Sequence, residues 1–257
     1  MKIFITSWHR MDFMSQTLLR LAECSPDAHV TVYDNGSDRD EQERLVQWKQ
    51  EDLIQDLFLA DRNSGTMLPK RIFHALARAA GDEFYVVTDN DFLCANGWME
   101  SMLDIMRAHP EIAVLTPQYW PQWPMGPKAL SADGKVVYCN AVGNTFKMVR
   151  TAAVDPWFRR MDETESQAQD FVRGVRGPQY SDDGLLCKWI ASQGFERSAF
   201  CTNVFCYNLE PSAANWGYEA GQEKGDPRRA GYGAPSPQYM PKDWETLELP
   251  EELKWRP

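Results

Sequence analysis

The 257-residue sequence contains no uninterrupted apolar run of the ~18 residues that a membrane span requires. The apolar stretch at residues 1–6 is too short for the core of a secretory leader and reads as a first strand. Basic charge is scarce: 27 Lys and Arg stand against 37 Asp and Glu, a formal charge of −10. That balance excludes broad neutralisation of duplex phosphates. Histidine is scarcer still, with four in the chain and none after His109. The six cysteines, Cys24, Cys94, Cys139, Cys187, Cys201 and Cys206, include no CxxC pair and none at zinc-ligand spacing from a histidine. Most lie in apolar runs, so they read as reduced thiols of a cytoplasmic protein rather than a disulfide framework. Glycine is missing from Thr6-Ser7-Trp8-His9-Arg10, the segment after the first strand. No internal repeat is present.

What remains is an ordinary globular composition, 43% hydrophobic and 25% charged, long enough for one large α/β domain. Short apolar runs alternate with amphipathic segments. Residues 2–6, 29–33, 57–59, 84–88 and 112–116 read as strands. Residues 13–23, 41–50 and 68–80 read as helices, and Asn96 as the cap of a further one. Residues 84–88 are almost continuously apolar, as expected of a strand buried on both faces of a parallel sheet. The β-α-β-α-β rhythm predicts a mostly parallel central sheet flanked by helices. Residues 117–127 read as a loop, Asp133-Gly134 as a hairpin turn, 144–149 as a strand and 155–179 as polar and irregular. Ser181 or Asp182 reads as a helix cap, and 200–209 as a last strand. The predicted division is a catalytic domain over 1–210 and a Gly-, Pro- and Trp-containing extension over 211–257 packed on it.

Ligands of such sheets bind beyond the carboxyl ends of the strands. Polar clusters fall at those ends: Thr6-Ser7, Asp34-Asn35-Gly36-Ser37, Arg62-Asn63-Ser64-Gly65 and Asp89-Asn90-Asp91. On an extended backbone Asp89 and Asp91 would point the same way. Two such carboxylates repel unless a hard divalent cation joins them. In isolation the motif is better read as a turn that merely ends a strand. Its place between a buried strand and a following helix favours the metal. Asp34 could accept from a base or ribose, or build an Asx turn with Gly36. Asn63 and Gly65 precede a helix whose N-terminus favours phosphate, with Lys70 in its first turns. Asp182-Asp183 opens a helix, where the dipole favours acids, and a carboxylate there could also deprotonate a hydroxyl.

Taken in order, Thr6-Ser7, Asp34-Asn35-Gly36-Ser37, Asn63-Ser64-Gly65, Asp89-Asn90-Asp91 and Asp182-Asp183 resemble the inverting family 2 glycosyltransferases of the GT-A fold. The resemblance covers about residues 2–195. It implies the GT-A α/β fold, a nucleotide-diphosphate sugar donor (a UDP-sugar favoured), a divalent metal (Mn²⁺ or Mg²⁺) and inversion at the anomeric carbon. It implies that Asp34 binds the base, that Thr6 and Ser7 line the nucleotide pocket, that Asp89 contacts the ribose or the metal, and that Asp91 ligates the metal. Asp183 matches the base, with Asp182 beside it, and Asn144 falls near the donor sugar. Many members carry a metal-binding histidine on a late strand. This chain has Asn208 in that region. The implied acceptor is a hydroxyl of a glycan or small molecule. Modified nucleic acid would need a local basic surface from residues such as Arg159, Arg160, Arg173 and Arg176.

Two other classes compete. A nucleotidyltransferase on a similar sheet would open with a glycine-rich basic phosphate loop, which Thr6–Arg10 is not. A non-catalytic nucleotide- or carbohydrate-binding protein on the same fold would bind without turnover.

Overall fold

The computed structural model describes residues 1–65, 67–120, 125–142, 146–163, 186 and 189–208. The chain order is β1 (Lys2–Ser7), α1 (Met11–Cys24), β2 (His29–Asp34), α2 (Arg39–Gln50), β3 (Asp56–Leu59), α3 (Met67–Ala80), β4 (Phe84–Asp89) and β5 (Phe92–Cys94). It continues with α4 (Trp98–Ala108), β6 (Val114–Trp120), β7 (Met125–Leu130), β8 (Val136–Ala141), β9 (Phe146–Arg150), α5 (Thr151–Glu163) and β10 (Ser198–Asn208). One sheet has the order β3-β2-β1-β4-β9-β6-β10-β8-β7, with β5 added beside β10.

The first four strands of that order are parallel neighbours. From β4 onward the sheet is mixed: β9 runs antiparallel to both β4 and β6, while β6 and β10 are parallel. The parallel rhythm read from the sequence therefore describes the first half of the sheet. Both faces are covered, as the apolar strands require. On one face, Ile3, Ile5, Val30 and Val32 pack with Met14, Leu18, Leu45, Trp98 and Met102 of α1, α2 and α4. On the other, Phe4, Tyr33, Tyr85 and Val87 pack with Phe73 of α3 and Trp157 and Phe158 of α5. The alternation of Phe4 between Ile3 and Ile5 is the period-2 side-chain pattern of a strand inserted between two cores. Each such fully buried side chain contributes roughly 1.5–3 kcal/mol.

Four local readings need correction. Pro117 lies inside β6 rather than in a loop. It has no N–H to donate, and it sits where the β6–β10 register jumps between Phe200 and Phe205, so no regular ladder bond is lost. Residues 125–127, also read as loop, open β7, which pairs with β8. Thr151–Glu163 is helical despite Pro156, because Val154, Trp157 and Phe158 place an apolar stripe on the sheet. Finally, Asn96 does not cap α4. The N-cap is Gly97 in the left-handed region, and the Asn96 side-chain Oδ1 accepts from the Arg20 guanidinium at 3.0 Å. The hairpin turn at Asp133-Gly134 is present, with Gly134 at φ 71° and the Asp133 carboxylate accepting from Ser131 Oγ and the Lys135 N–H. Leu186 and residues 189–192 are helical; the cap read at Ser181 or Asp182 and the extension over 211–257 lie outside the described residues.

Candidate active site at the strand ends

Parallel register brings three of the polar clusters to one rim. Ser7 pairs with Asp34, and Thr6 pairs with both Tyr33 and Asp89. The carboxyl ends of β1, β2 and β4 therefore form a single shelf. Ser7 is fully buried there, and its Oγ has no hydrogen-bond partner among the described residues.

Asp34 is also fully buried. Its Oδ1 accepts from Ser37 Oγ at 2.5 Å; its Oδ2 accepts from the Ser37 N–H at 3.0 Å and from Gln42 Nε2 at 2.8 Å. This is an Asx-type turn closed by a residue of α2. In this geometry the carboxylate builds the turn, the structural role left open for it in the sequence. Its neighbour Asn35 does more than the sequence signalled. Asn35 Nδ2 donates to Asn63 Oδ1 and to the Gly65 carbonyl, and Asn35 Oδ1 accepts from the N–H and Oγ of Ser64. One buried amide thus staples the loop after β3 to the turn after β2. A buried amide with all its groups satisfied holds such a junction firmly. Gly36 lies in the contact, at φ 84°, directly against the backbone of Arg62 and Asn63. Gly65 takes φ 78°, and Lys70 is half-buried in the first turns of α3.

The Asp89-Asn90-Asp91 cluster is not one extended strand. β4 ends at Asp89, and the backbone bends through Asn90 and Asp91 before β5 begins at Phe92. Strand alternation therefore does not govern where the second carboxylate points. Tertiary bonds fix the bend instead. Asn90 is buried, donating from Nδ2 to the His9 carbonyl at 2.9 Å, while its own carbonyl accepts from Thr17 Oγ1 at 3.1 Å. Thr17 Oγ1 accepts in turn from the Phe92 N–H. Asp91 is 6% exposed, and its Oδ2 receives Arg10 Nη1 at 3.4 Å.

The loop after β1 is part of this arrangement. His9 and Arg10 sit at φ 56° and 61°, two consecutive non-glycine residues in the left-handed region. Such positions cost of order 1–3 kcal/mol each and persist where the surroundings over-determine them. Here the His9 N–H donates to Ser37 Oγ at 2.8 Å, and His9 Nδ1 pairs with Glu41 Oε2 at 2.6 Å. His9, Asp38 and Glu41 form the one cluster of metal-ligand type among the described residues. The capping box of α2 accounts for its two acids, and the hydrogen bond with Glu41 accounts for the histidine. No sequence signal marked His9 or Arg10, and Asn35 and Asn90 stood out only as members of their polar clusters. Their side chains belong to the site through contacts 28 to 81 residues apart.

β10 reaches the same corner. It pairs antiparallel with β5 so that Asn208 stands opposite Phe92, the residue after Asp91. Register thus brings the late-strand candidate beside the acidic bend. Asn144, Asp182 and Asp183 lie outside the described residues. A second recess, about 360 Å³, runs along α3 and α5 on a sheet face rather than at the strand ends, lined by Arg71, Arg78, Arg159, Asp155, His74 and Phe158 among others. Burial pushes the Asp155 carboxyl up, but the His74 hydrogen bond and Arg159 outweigh it and hold it below the ordinary range.

A sheet of this order, with its polar residues collected at the carboxyl ends of β1, β2 and β4, is the nucleotide-diphospho-sugar transferase architecture, GT-A. The profile of glycosyl transferase family 2 matches residues 2–175, and the chain belongs to that family. Solved structures agree on the fold. The chain is similar to TarS 1-349 of S. aureus, at 14% identity and TM-score 0.54, covering 82% of this chain and 60% of that one. It is similar to GalNAc-T7, solved with UDP, GalNAc and Mn²⁺, at 11% identity and TM-score 0.56, covering 80% and 43%. It is also similar to the mannosyltransferase PcManGT of Pyrobaculum calidifontis, solved with GDP-Man and Mn²⁺, at 15% identity and TM-score 0.56, covering 86% and 59%. The chain therefore spans between about two fifths and three fifths of those relatives. No curated protein sequence matches it. Among the described residues, no helix is long and apolar enough to cross a membrane.

Proposed function

We propose that the protein transfers a sugar from a nucleoside-diphosphate sugar, a UDP-sugar favoured, to a hydroxyl of a glycan or small molecule, with inversion at the anomeric carbon. The observation that carries this reading is the acidic bend at the carboxyl end of β4, locked to the β1 loop through Asn90 and flanked by the end of β10. Family membership supports the chemistry. The UDP and GDP-mannose bound by two fold relatives support the donor class.

The donor set fits a divalent cation. Asp89 and Asp91 offer hard carboxylate oxygens, the ligands Mg²⁺ and Mn²⁺ take in small number while phosphates and water complete the shell. Mn²⁺ in two fold relatives supports the same choice. Asn208 is the further protein oxygen that β10 would add. When bound, the metal supplies positive charge to the departing diphosphate. The remaining work falls to side chains. Thr6 and Ser7 line the nucleotide side of the shelf. The Asn63–Gly65 loop, held by Asn35, and Lys70 face the phosphates at the start of α3. Asp34 acts through the turn it builds. Asn144 contacts the donor sugar. Asp183 takes the proton from the attacking hydroxyl, with Asp182 orienting it.

The test is a thermal-shift screen of UDP, GDP, CDP and dTDP with and without Mn²⁺, run on the wild type and on Asp183→Asn. Saturation at about 100 times Kd stabilises the native state by about 2.7 kcal/mol, or roughly 5–10 °C for a chain this size. One nucleotide should give that shift with Mn²⁺ in both proteins, while only the wild type transfers sugar. No shift with any nucleotide would sink the donor assignment. Full transfer by Asp183→Asn would remove the base assignment.

A further inference from the structure

We infer that Arg10 is the resident cation of the site: it balances Asp91 when no metal does, and it donates to the donor's diphosphate when the nucleotide is bound. The inference rests on the nucleotide-sugar reading and assigns it a residue.

Geometry comes first. Asp91 is 6% exposed, and a carboxylate so deeply buried is costly without a positive partner. Arg10 Nη1 lies 3.4 Å from Asp91 Oδ2. The Arg10 side chain is itself 36% exposed, so the guanidinium spans from the buried carboxylate to the solvent side of the shelf. A guanidinium carries five donors in a planar fork, enough to touch a carboxylate on one edge and phosphate oxygens on another.

The loop is built to hold that position. Arg10 takes φ 61° directly after His9 at φ 56°, a backbone that non-glycine residues adopt only under constraint. Three constraints are present. Asn90 Nδ2 holds the His9 carbonyl at 2.9 Å, and Ser37 Oγ holds the His9 N–H at 2.8 Å. The Arg10 carbonyl starts α1 by accepting from the N–H groups of Phe13 and Met14. The middle residue of the acidic bend is thus turned onto the backbone next to Arg10. The same amide that shapes the bend fixes the cation facing it.

Charge bookkeeping points the same way. Asp89 and Asp91 place two of the negative charges of a chain with formal charge −10 in one corner, and β10 carries no histidine. Arg10 offsets one of them. A metal then adds to a partly neutralised site, while a diphosphate meets a guanidinium whether or not metal is bound.

Removing Arg10 should move two ligands in opposite directions. In Arg10→Gln, Mn²⁺ should bind the nucleotide-free protein about fivefold more tightly, because a like charge has gone from beside its carboxylate. UDP or GDP, titrated in EDTA, should bind about tenfold more weakly, because a charge-assisted contact to phosphate has gone. Arg10→Lys, which keeps the charge without the fork, should leave Mn²⁺ affinity near wild type and give an intermediate nucleotide affinity. Calorimetric titration of the full chain reads all four values, and Arg10→Lys carries the test should Arg10→Gln fail to fold. The inference is overturned if nucleotide affinity in EDTA is unchanged in the variants. Weaker Mn²⁺ binding in Arg10→Gln, or wild-type nucleotide binding that requires Mn²⁺, overturns it too. Wild-type protein that binds neither nucleotide under either condition instead removes the nucleotide-sugar reading, and the role of Arg10 with it.

Discussion

Replacing Asp91 by asparagine is expected to lower donor turnover by about 10²–10³-fold while leaving the fold intact. The size follows from the several kcal/mol that a correctly held cation contributes to charge on a leaving diphosphate. Asparagine keeps the shape and one oxygen but loses the charge proposed to hold the metal. The loss of the Arg10 pair costs little stability, since that guanidinium is already about a third exposed. The measurement is steady-state release of nucleoside diphosphate across Mn²⁺ concentrations, with a melting curve beside it. Turnover within a factor of three of wild type would remove Asp91 from the metal site. A collapse of the melting transition would mean that the carboxylate serves the fold.

The second large effect lies away from the acids. Gly36→Ala is expected to cost about 3 kcal/mol, a fall in Tm of roughly 6–12 °C. Gly36 sits at φ 84°, where an added Cβ would lie 2.3 Å from the Arg62 carbonyl carbon and 2.6 Å from both Arg62 Cα and Asn63 N. Those are backbone atoms of the loop that Asn35 staples, so relief requires breaking the bonds from Asn35 to Asn63, Ser64 and Gly65. The left-handed backbone adds about 1–2 kcal/mol on its own. Thermal denaturation of the variant reads the stability. Nucleotide affinity should fall with it, because in the proposed site the same loop faces the phosphates. A loss of less than about 1 kcal/mol would mean that the two loops are not packed this closely.

Strand ends were legible because the runs before Ser7, Asp34 and Asp89 are rich in apolar and β-branched residues, and parallel pairing then aligns their polar ends without further information. The glycine of Asp34-Asn35-Gly36-Ser37 was legible as a turn, but not as a contact with residue 62, which depends on a strand crossover. Asn35 and Asn90 look alike as polar residues beside an aspartate; only tertiary structure shows that each is spent on fastening two loops. Asp89 and Asp91 were paired in the sequence through a strand alternation that the bend at Asn90 interrupts. Arg10 gave no signal because its left-handed backbone is a property of its surroundings. The antiparallel half of the sheet was the least legible. β6 runs through a proline and β7 follows a Trp- and Pro-rich segment, so local propensity there opposes the pairing that the sheet imposes.

The most direct measurement of the central claim is the formation of free nucleoside diphosphate from UDP-GlcNAc, UDP-GalNAc and GDP-mannose, followed with Mn²⁺ and with EDTA in the presence of hydroxyl acceptors. The account predicts that one donor yields its diphosphate and a glycosylated product with Mn²⁺, and that Asp91→Asn loses both. Nucleotide binding without release of diphosphate from any donor would contradict it.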